Sequence, residues 1–179
     1  MAKYFDELKR TMEWLAQHPQ VVFVGQTAAV PGTFMYQTLR DIPPGKALEF
    51  PVAESFQMQF TLGLAIGGYI PVSIYPRQNF LLLAAGDMAN MVDKFSDLTC
   101  GRVNPRLIIR VATGPDKPVH PGHQHVGNYA GALRAMFSRI EVVELDEPQD
   151  IFPAYEKALT RPDAKPVILI EHGNHYQDK

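Results

Sequence analysis

The chain has a single cysteine, Cys100, so no internal disulfide can form and neither a thiolate zinc cluster nor a redox pair can be assembled. It also lacks a charge excess. Seventeen Lys and Arg against 19 Asp and Glu leave a formal net charge of -2, which supplies no pull toward nucleic acid or an anionic bilayer. No run is long and apolar enough to span a membrane, and the N-terminal MAKYFDELKRTMEWLAQHP carries charges where a signal peptide would be apolar. Missing too are the GxGxxG of dinucleotide sites, the GxxxxGK[ST] of P-loops and the GxSxG of serine hydrolases. These absences predict a cytoplasmic protein with neither nucleic acid nor membrane as partner. The 179 residues predict one domain with a core of its own.

What is present is an alternation of element types. Phe5, Leu8, Met12, Leu15 and Ala16 form an apolar stripe that predicts an amphipathic helix over 4–18, closed by Pro19. VVFVG, residues 21–25, reads as a strand buried on both faces. Pro31, Gly32, Pro43, Pro44 and Gly45 punctuate a loop with room for one short helix. Further strands are predicted at 47–50, 69–75, 106–113, 140–145 and 166–171, and helices at 81–95, 129–137 and 151–159. The order predicts an α/β fold, a mainly parallel sheet of about six strands with helices on both faces. Ligands of such sheets bind beyond the carboxyl ends of the strands. Gln26, Glu54, Phe80 and the loop 114–127 all follow a predicted strand.

The stretch EFPVAES, residues 49–55, places Glu54 ahead of eleven uncharged, largely apolar residues. A carboxyl entering such a run loses hydration, which favours its protonated form, as a catalytic acid requires. Equally, Glu54 reads as a first-turn acid that complements a helix dipole. From Phe56 to Gly67 apolar residues alternate with Gln, Thr, Gly and Ala, the period of a half-buried strand. The length of the run and its good helix formers point instead to a helix buried on every side. In HPGHQHVG, the imidazoles of His120, His123 and His125 invite a metal reading, but Pro121 and Gly122 exclude helical ligand spacing and no carboxylate is near. Proton transfer is the other use of such a histidine. His172 and His175 read as solvated residues of a polar tail.

Taken together, several spacings resemble those of the pyrimidine-binding domain of transketolase-like thiamine diphosphate enzymes, most closely the beta subunits of 2-oxoacid dehydrogenase E1 components. Pro51 and Glu54 match P-x-x-E at a helix start. Gly63 and Ala65 match its small residues, Gly68, Pro71 and Val72 its G-x-x-P-V, and Phe80 the aromatic nine residues after the proline. Asn90, Arg110, Gln124-His125, Val142, Val143, Pro148, Asp150 and PVILIEH match later positions.

The resemblance implies that Glu54 hydrogen-bonds N1′ of the cofactor's aminopyrimidine and so promotes loss of the thiazolium C2 proton. It implies further that Phe80 stacks on the pyrimidine, that Gln26 lies at the cofactor, that His125 serves substrate binding or proton transfer, and that 55–68 is a helix at a subunit interface. This chain holds no metal itself, since Gly86-Asp87 is followed by Met88 and not by the glycine of a GDG. A single pyrimidine-binding domain over 1–179, with neither a diphosphate-binding nor a C-terminal domain, implies half a site. Thiamine diphosphate, with Mg2+, is then completed by a diphosphate-binding subunit on a separate chain, in a homodimer or heterotetramer. The reaction class is 2-oxoacid oxidative decarboxylation or ketol transfer; the alternative is a noncatalytic or regulatory homologue that dimerises without turnover. Departures from the family pattern are Gln26-Thr27 for its Glu-Asp, Phe56 and Gln59 for glycines, which would crowd a helix contact, and Val126 for serine.

Overall fold

Strands apolar along their whole length must be covered on both faces. The computed structural model, which describes residues 3–117 and 120–177, does this with one sheet. Its strands are β1 (Val21–Gly25), β2 (Ala47–Glu49), β3 (Ile70–Tyr75), β4 (Ile108–Thr113), β5 (Glu141–Leu145) and β6 (Val167–His172). All pair in parallel, in the order β2-β1-β3-β4-β6-β5. The α-helical pieces are α1 (Tyr4–Ala16), α2 (Phe34–Leu39), α3 (Glu54–Ile66), α4 (Gln78–Leu81), α5 (Ala85–Asp87), α6 (Phe95–Leu98), α7 (Ala130–Met136) and α8 (Pro148–Thr160). Among the described residues no helix is long and apolar enough to cross a membrane.

Because successive side chains on a strand point to opposite faces, the sheet divides the interior in two. Phe23, Val72, Ile74, Ile108, Ala112, Val167 and Leu169 pack with Leu8, Met12 and Leu15 of α1 and Ile151, Tyr155 and Leu159 of α8. On the other face Tyr75, Ile109, Val111, Ile168 and Ile170 pack with Met58 and Leu62 of α3, Leu81, Met88 and Val92 of the 78–98 segment and Leu133 of α7. Each fully buried side chain of this size adds about 1.5–3 kcal/mol over its exposed state.

The predicted alternation of strands and helices stands. Between Ser55 and Gly68 the helix reading is the correct one. The buried residues of α3 are Glu54, Gln57, Met58, Thr61, Leu62 and Ala65, a 3–4 spacing that is half polar and therefore invisible to a count of apolar residues. Gln57 and Thr61 lie on the sheet side because both bond Ser73 of β3, at 3.1 and 2.9 Å. Two expectations are corrected. The single helix predicted at 81–95 is instead α4, a 3-10 turn, α5, a π turn (Met88–Val92) and α6. The π turn closes through Asp93 N to Met88 O at 2.8 Å, and Asp93 is itself anchored elsewhere. The predicted solvated tail is also partly packed: His172 is half-buried 2.8 Å from Asp146, and Tyr176 is in the core.

Asp93 is that anchor. Its carboxylate accepts the backbone N–H groups of Ser138, Arg139 and Ile140 and the Ser138 hydroxyl, at 2.7–3.2 Å, together with the Lys94 ammonium at 2.7 Å. Burial alone would raise its pKa; these donors outweigh that and hold it far below the ordinary carboxylate value. The lowered folded-state value means that the stabilisation is complete above the unfolded pKa of about 4 and is lost as pH falls toward the folded one. Asp93→Asn should therefore lower unfolding stability by about 2–4 kcal/mol near neutral pH in urea titrations, with the gap to wild type closing as pH drops from 5 to 2.

A second polar knot lies within the first core. Arg110 and Glu171, both fully buried on neighbouring strands, pair through two bonds of 2.5 and 3.0 Å. The Arg110 guanidinium also donates to Thr38 of α2 at 2.9 Å. Tyr155 of α8 and Tyr176 each donate to Glu171, at 3.1 and 2.5 Å. Burial, then the Glu171 charge, pushes both phenols well above their ordinary pKa. Removing one charge strands the other in apolar surroundings. Arg110→Met alone should cost about 3–5 kcal/mol by denaturant titration, and pairing it with Glu171→Leu should recover much of the loss.

Candidate functional site

Chain order places a crevice in this sheet. From β1 the chain moves to the β2 edge, and from β3 it moves toward β4, so the connections diverge at the carboxyl ends of β1 and β3. Gly25 closes β1 at φ 153°, and a Cβ there would lie 2.3 Å from the Ile74 carbonyl oxygen, so only glycine permits this approach. Beyond it the Glu49 carboxylate, at the end of β2, accepts the N–H groups of Thr27, Ala29 and Val30 at 2.7–3.1 Å. This clasp holds Thr27 in a left-handed conformation (φ 55°) that a β-branched residue otherwise avoids.

Glu54 opens α3 and is 5% exposed. The buried Gln26 amide donates to its Oε1 at 3.1 Å, and the Tyr75 phenol donates to its backbone carbonyl at 3.3 Å. Burial raises the Tyr75 pKa and keeps it a neutral donor. Among the described residues the Glu54 Oε2 has no hydrogen-bond partner, which leaves one acceptor on a fixed carboxyl. The helix-start reading of Glu54 holds, since it is the first residue of α3.

A cleft of about 410 Å³ opens here, lined by Gln26, Thr27, Thr33, Pro76, Arg77, Phe80, Pro121 and His125. Three of the sequence-predicted site residues line one space; the fourth, Glu54, is not in its lining but is bonded to Gln26, which is. His125 stands 5.4 Å from the Phe80 ring, tilted by 59°. Its Nδ1 is 3.0 Å from Asn79 Oδ1. An amide oxygen can only accept, so Nδ1–H is the donor of this pair and Nε2 is not used in it. His120 and His123 are exposed, their rings 5.2 Å apart, with the His120 Nδ1 taken by Gly122 N–H at 3.1 Å. Among the described residues no group of three or more His, Cys, Asp and Glu could hold a metal ion.

No protein-family model matches the sequence, and no curated protein matches it. Solved structures do match. One, a split-gene transketolase described as an inactive β4 tetramer, superposes with a TM-score of 0.71 at 16% identity, over 93% of this chain and 50% of that one. The chain has a transketolase-like fold. It spans about half the length of that neighbour, and the cleft lies at the strand ends of the transketolase-like sheet.

Residue reasoning missed the supports of the site. Gln78, buried after β3, accepts Tyr129 N–H at 2.6 Å and donates to Asn128 at 3.3 Å, while Asn79 orients His125. The available signal was PRQN, a polar run directly after an apolar strand. Gly114 also went unread: a Cβ there would lie 2.0 Å from the His125 carbonyl oxygen. Gly114→Ala should therefore dislodge the histidine loop while the sheet stays folded. The expected readout is protease cleavage within 114–127 accelerated by at least tenfold, with little change in far-UV circular dichroism.

Proposed function

We propose that this chain is the pyrimidine-binding subunit of a thiamine diphosphate-dependent enzyme, of transketolase or 2-oxoacid dehydrogenase E1 type. In this reading the diphosphate and Mg2+ are held by a separate partner chain. The observation that carries the reading is the meeting of Gln26, Phe80 and His125 in one cleft, with Glu54 bonded to Gln26 behind it. The donor set fits an aminopyrimidine. Phe80 offers a flat apolar face, the open Glu54 Oε2 an acceptor or proton site for a ring nitrogen, and the Gln26 carbonyl an acceptor for an exocyclic amine.

When bound, the cofactor supplies a carbon nucleophile for a substrate carbonyl. Glu54, withdrawn from water and fixed at Oε1, holds or shares a proton at Oε2 without having to reorient. Phe80 excludes water from one ring face, and His125 Nε2 exchanges a proton with substrate on the far side of the cleft. The reaction is 2-oxoacid oxidative decarboxylation or ketol transfer.

The outer face of α3 supports an assembly. Phe56 is 57% exposed and Val52 78%, and Ile66, Leu83 and Met91 are exposed nearby, beside an apolar groove between α3 and the 78–98 segment. A patch of this kind suits a subunit interface, in a homodimer or a heterotetramer. The second reading, a noncatalytic homologue, draws on the same face. Phe56, packed on Phe50 and Phe60 with ring centroids 5.5 and 6.5 Å away, stands where the family pattern has glycine, and the structural neighbour is described as inactive.

The deciding measurement is exchange of the cofactor C2 proton by NMR in the complex with the diphosphate-binding partner. Glu54→Gln should slow exchange by at least a hundredfold, and a near-wild-type rate would remove Glu54 from the mechanism. His125→Ala should lower turnover by about 10²–10⁴-fold without abolishing cofactor binding. A wild-type complex that gives no acceleration over free cofactor favours the noncatalytic reading.

A further inference from the structure

Arg77 follows the end of β3 by two residues and is half-buried. It donates a hydrogen bond to its own neighbour, the Pro76 carbonyl, at 2.8 Å. No carboxylate among the described residues lies within 4.0 Å of it. The other arginines withdrawn from solvent are matched: Arg110 to Glu171, Arg139 to Asp97, Arg161 to Glu141 and Asp163, and Arg106 to the carbonyls of Leu159 and Arg161. A guanidinium has five N–H donors in a planar fork suited to an oxyanion. Keeping one partly out of water with no counter-charge costs stability unless a ligand supplies the charge. Burial lowers its pKa, in keeping with that cost.

The surroundings share the same bias. Arg77 lines the Phe80–His125 cleft and also an adjoining one of about 290 Å³, walled by Thr33, Phe34, Tyr176 and the exposed Lys117. Among the described residues neither cleft has a carboxylate in its lining. A Cβ on Gly114 would stand 3.2 Å from Arg77 Cδ and 2.0 Å from the His125 carbonyl, so arginine and histidine loop are packed against one another. We propose that Arg77, assisted by Lys117, is the anchor of an oxyanion site that takes the carboxylate or phosphate group of the substrate. That this anion belongs to the substrate rests on the reading of the cleft as a thiamine diphosphate site; the anion binding itself does not.

The test needs neither cofactor nor partner, so its failure is separable from failure of that reading. Thermal unfolding of the full chain is followed against inorganic phosphate, acetate and, at matched ionic strength, chloride. Wild type should gain saturable stability from phosphate or acetate beyond that from chloride, phosphate alone indicating a phosphorylated substrate and acetate alone a carboxylate. Arg77→Gln should weaken that binding at least tenfold, as loss of a charge-assisted hydrogen bond does. Without anion it should melt no lower than wild type, which a merely structural arginine would not allow. Arg77→Lys, which keeps the charge but loses the fork, should weaken binding several-fold and serves if the glutamine variant fails to fold. An effect of both anions no greater than that of chloride, or an unchanged response in the variants, overturns the assignment.

Discussion

A guanidinium and a carboxylate wholly removed from water persist only where their donors and acceptors are matched, and the pair formed by Arg110 and Glu171 sets that condition for this fold. The partners come from β4 and β6, which fixes the central register, and the remaining bonds reach Thr38 on α2, Tyr155 on α8 and Tyr176 beyond β6. Tyr4 of α1 joins the same neighbourhood, donating to the Leu145 carbonyl at 2.7 Å and accepting His172 N–H at 3.0 Å. An apolar substitute could equal the knot in stability, but it would not dictate where each helix sits. Tyr176 carries the constraint outward: its hydroxyl is held by Glu171 while its ring walls the cleft beside Arg77.

That knot also explains what the sequence made legible. The strands were readable because a parallel sheet covered on both faces writes itself as continuous apolar runs. Arg110 and Glu171 are the charges inside the apolar runs LIIRVAT and PVILIE, yet their pairing spans 61 positions and no local pattern contains it. In α3 the local pattern was misleading. Its sheet-facing stripe includes Glu54, Gln57 and Thr61 beside Met58 and Leu62, while Phe56 and Ile66 are exposed, so hydrophobicity alone does not follow burial. The polar residues are inside because Ser73 and the Ile74 carbonyl of β3 need partners there; the apolar ones are outside where a further surface can cover them.

The site was legible to the extent that spacing encodes it. Glu54, Phe80 and His125 matched a family pattern, and Gln26 followed a strand; what could not be read was the set of residues that brings these together. Asn79 and Gln78 act on a loop about fifty positions away, and Gly114 acts through the space it leaves empty. Among the described residues Arg77 has no carboxylate partner to reveal it. Its signal is a missing counter-charge, which exists only once the neighbourhood is known.

The amide of Gln26 stands where the resembled pattern has an acid. An acid at this position would place two carboxyl groups in hydrogen-bond contact, and such a pair shares one proton. An amide cannot take that proton. It donates to Oε1 of Glu54 instead. An amide here also interrupts any chain of acids through this point. Gly25 makes the arrangement possible, since any Cβ there would meet the Ile74 carbonyl and push β1 and β3 apart. The proximity of Gln26 to Glu54 is therefore set by backbone packing at a residue without a side chain.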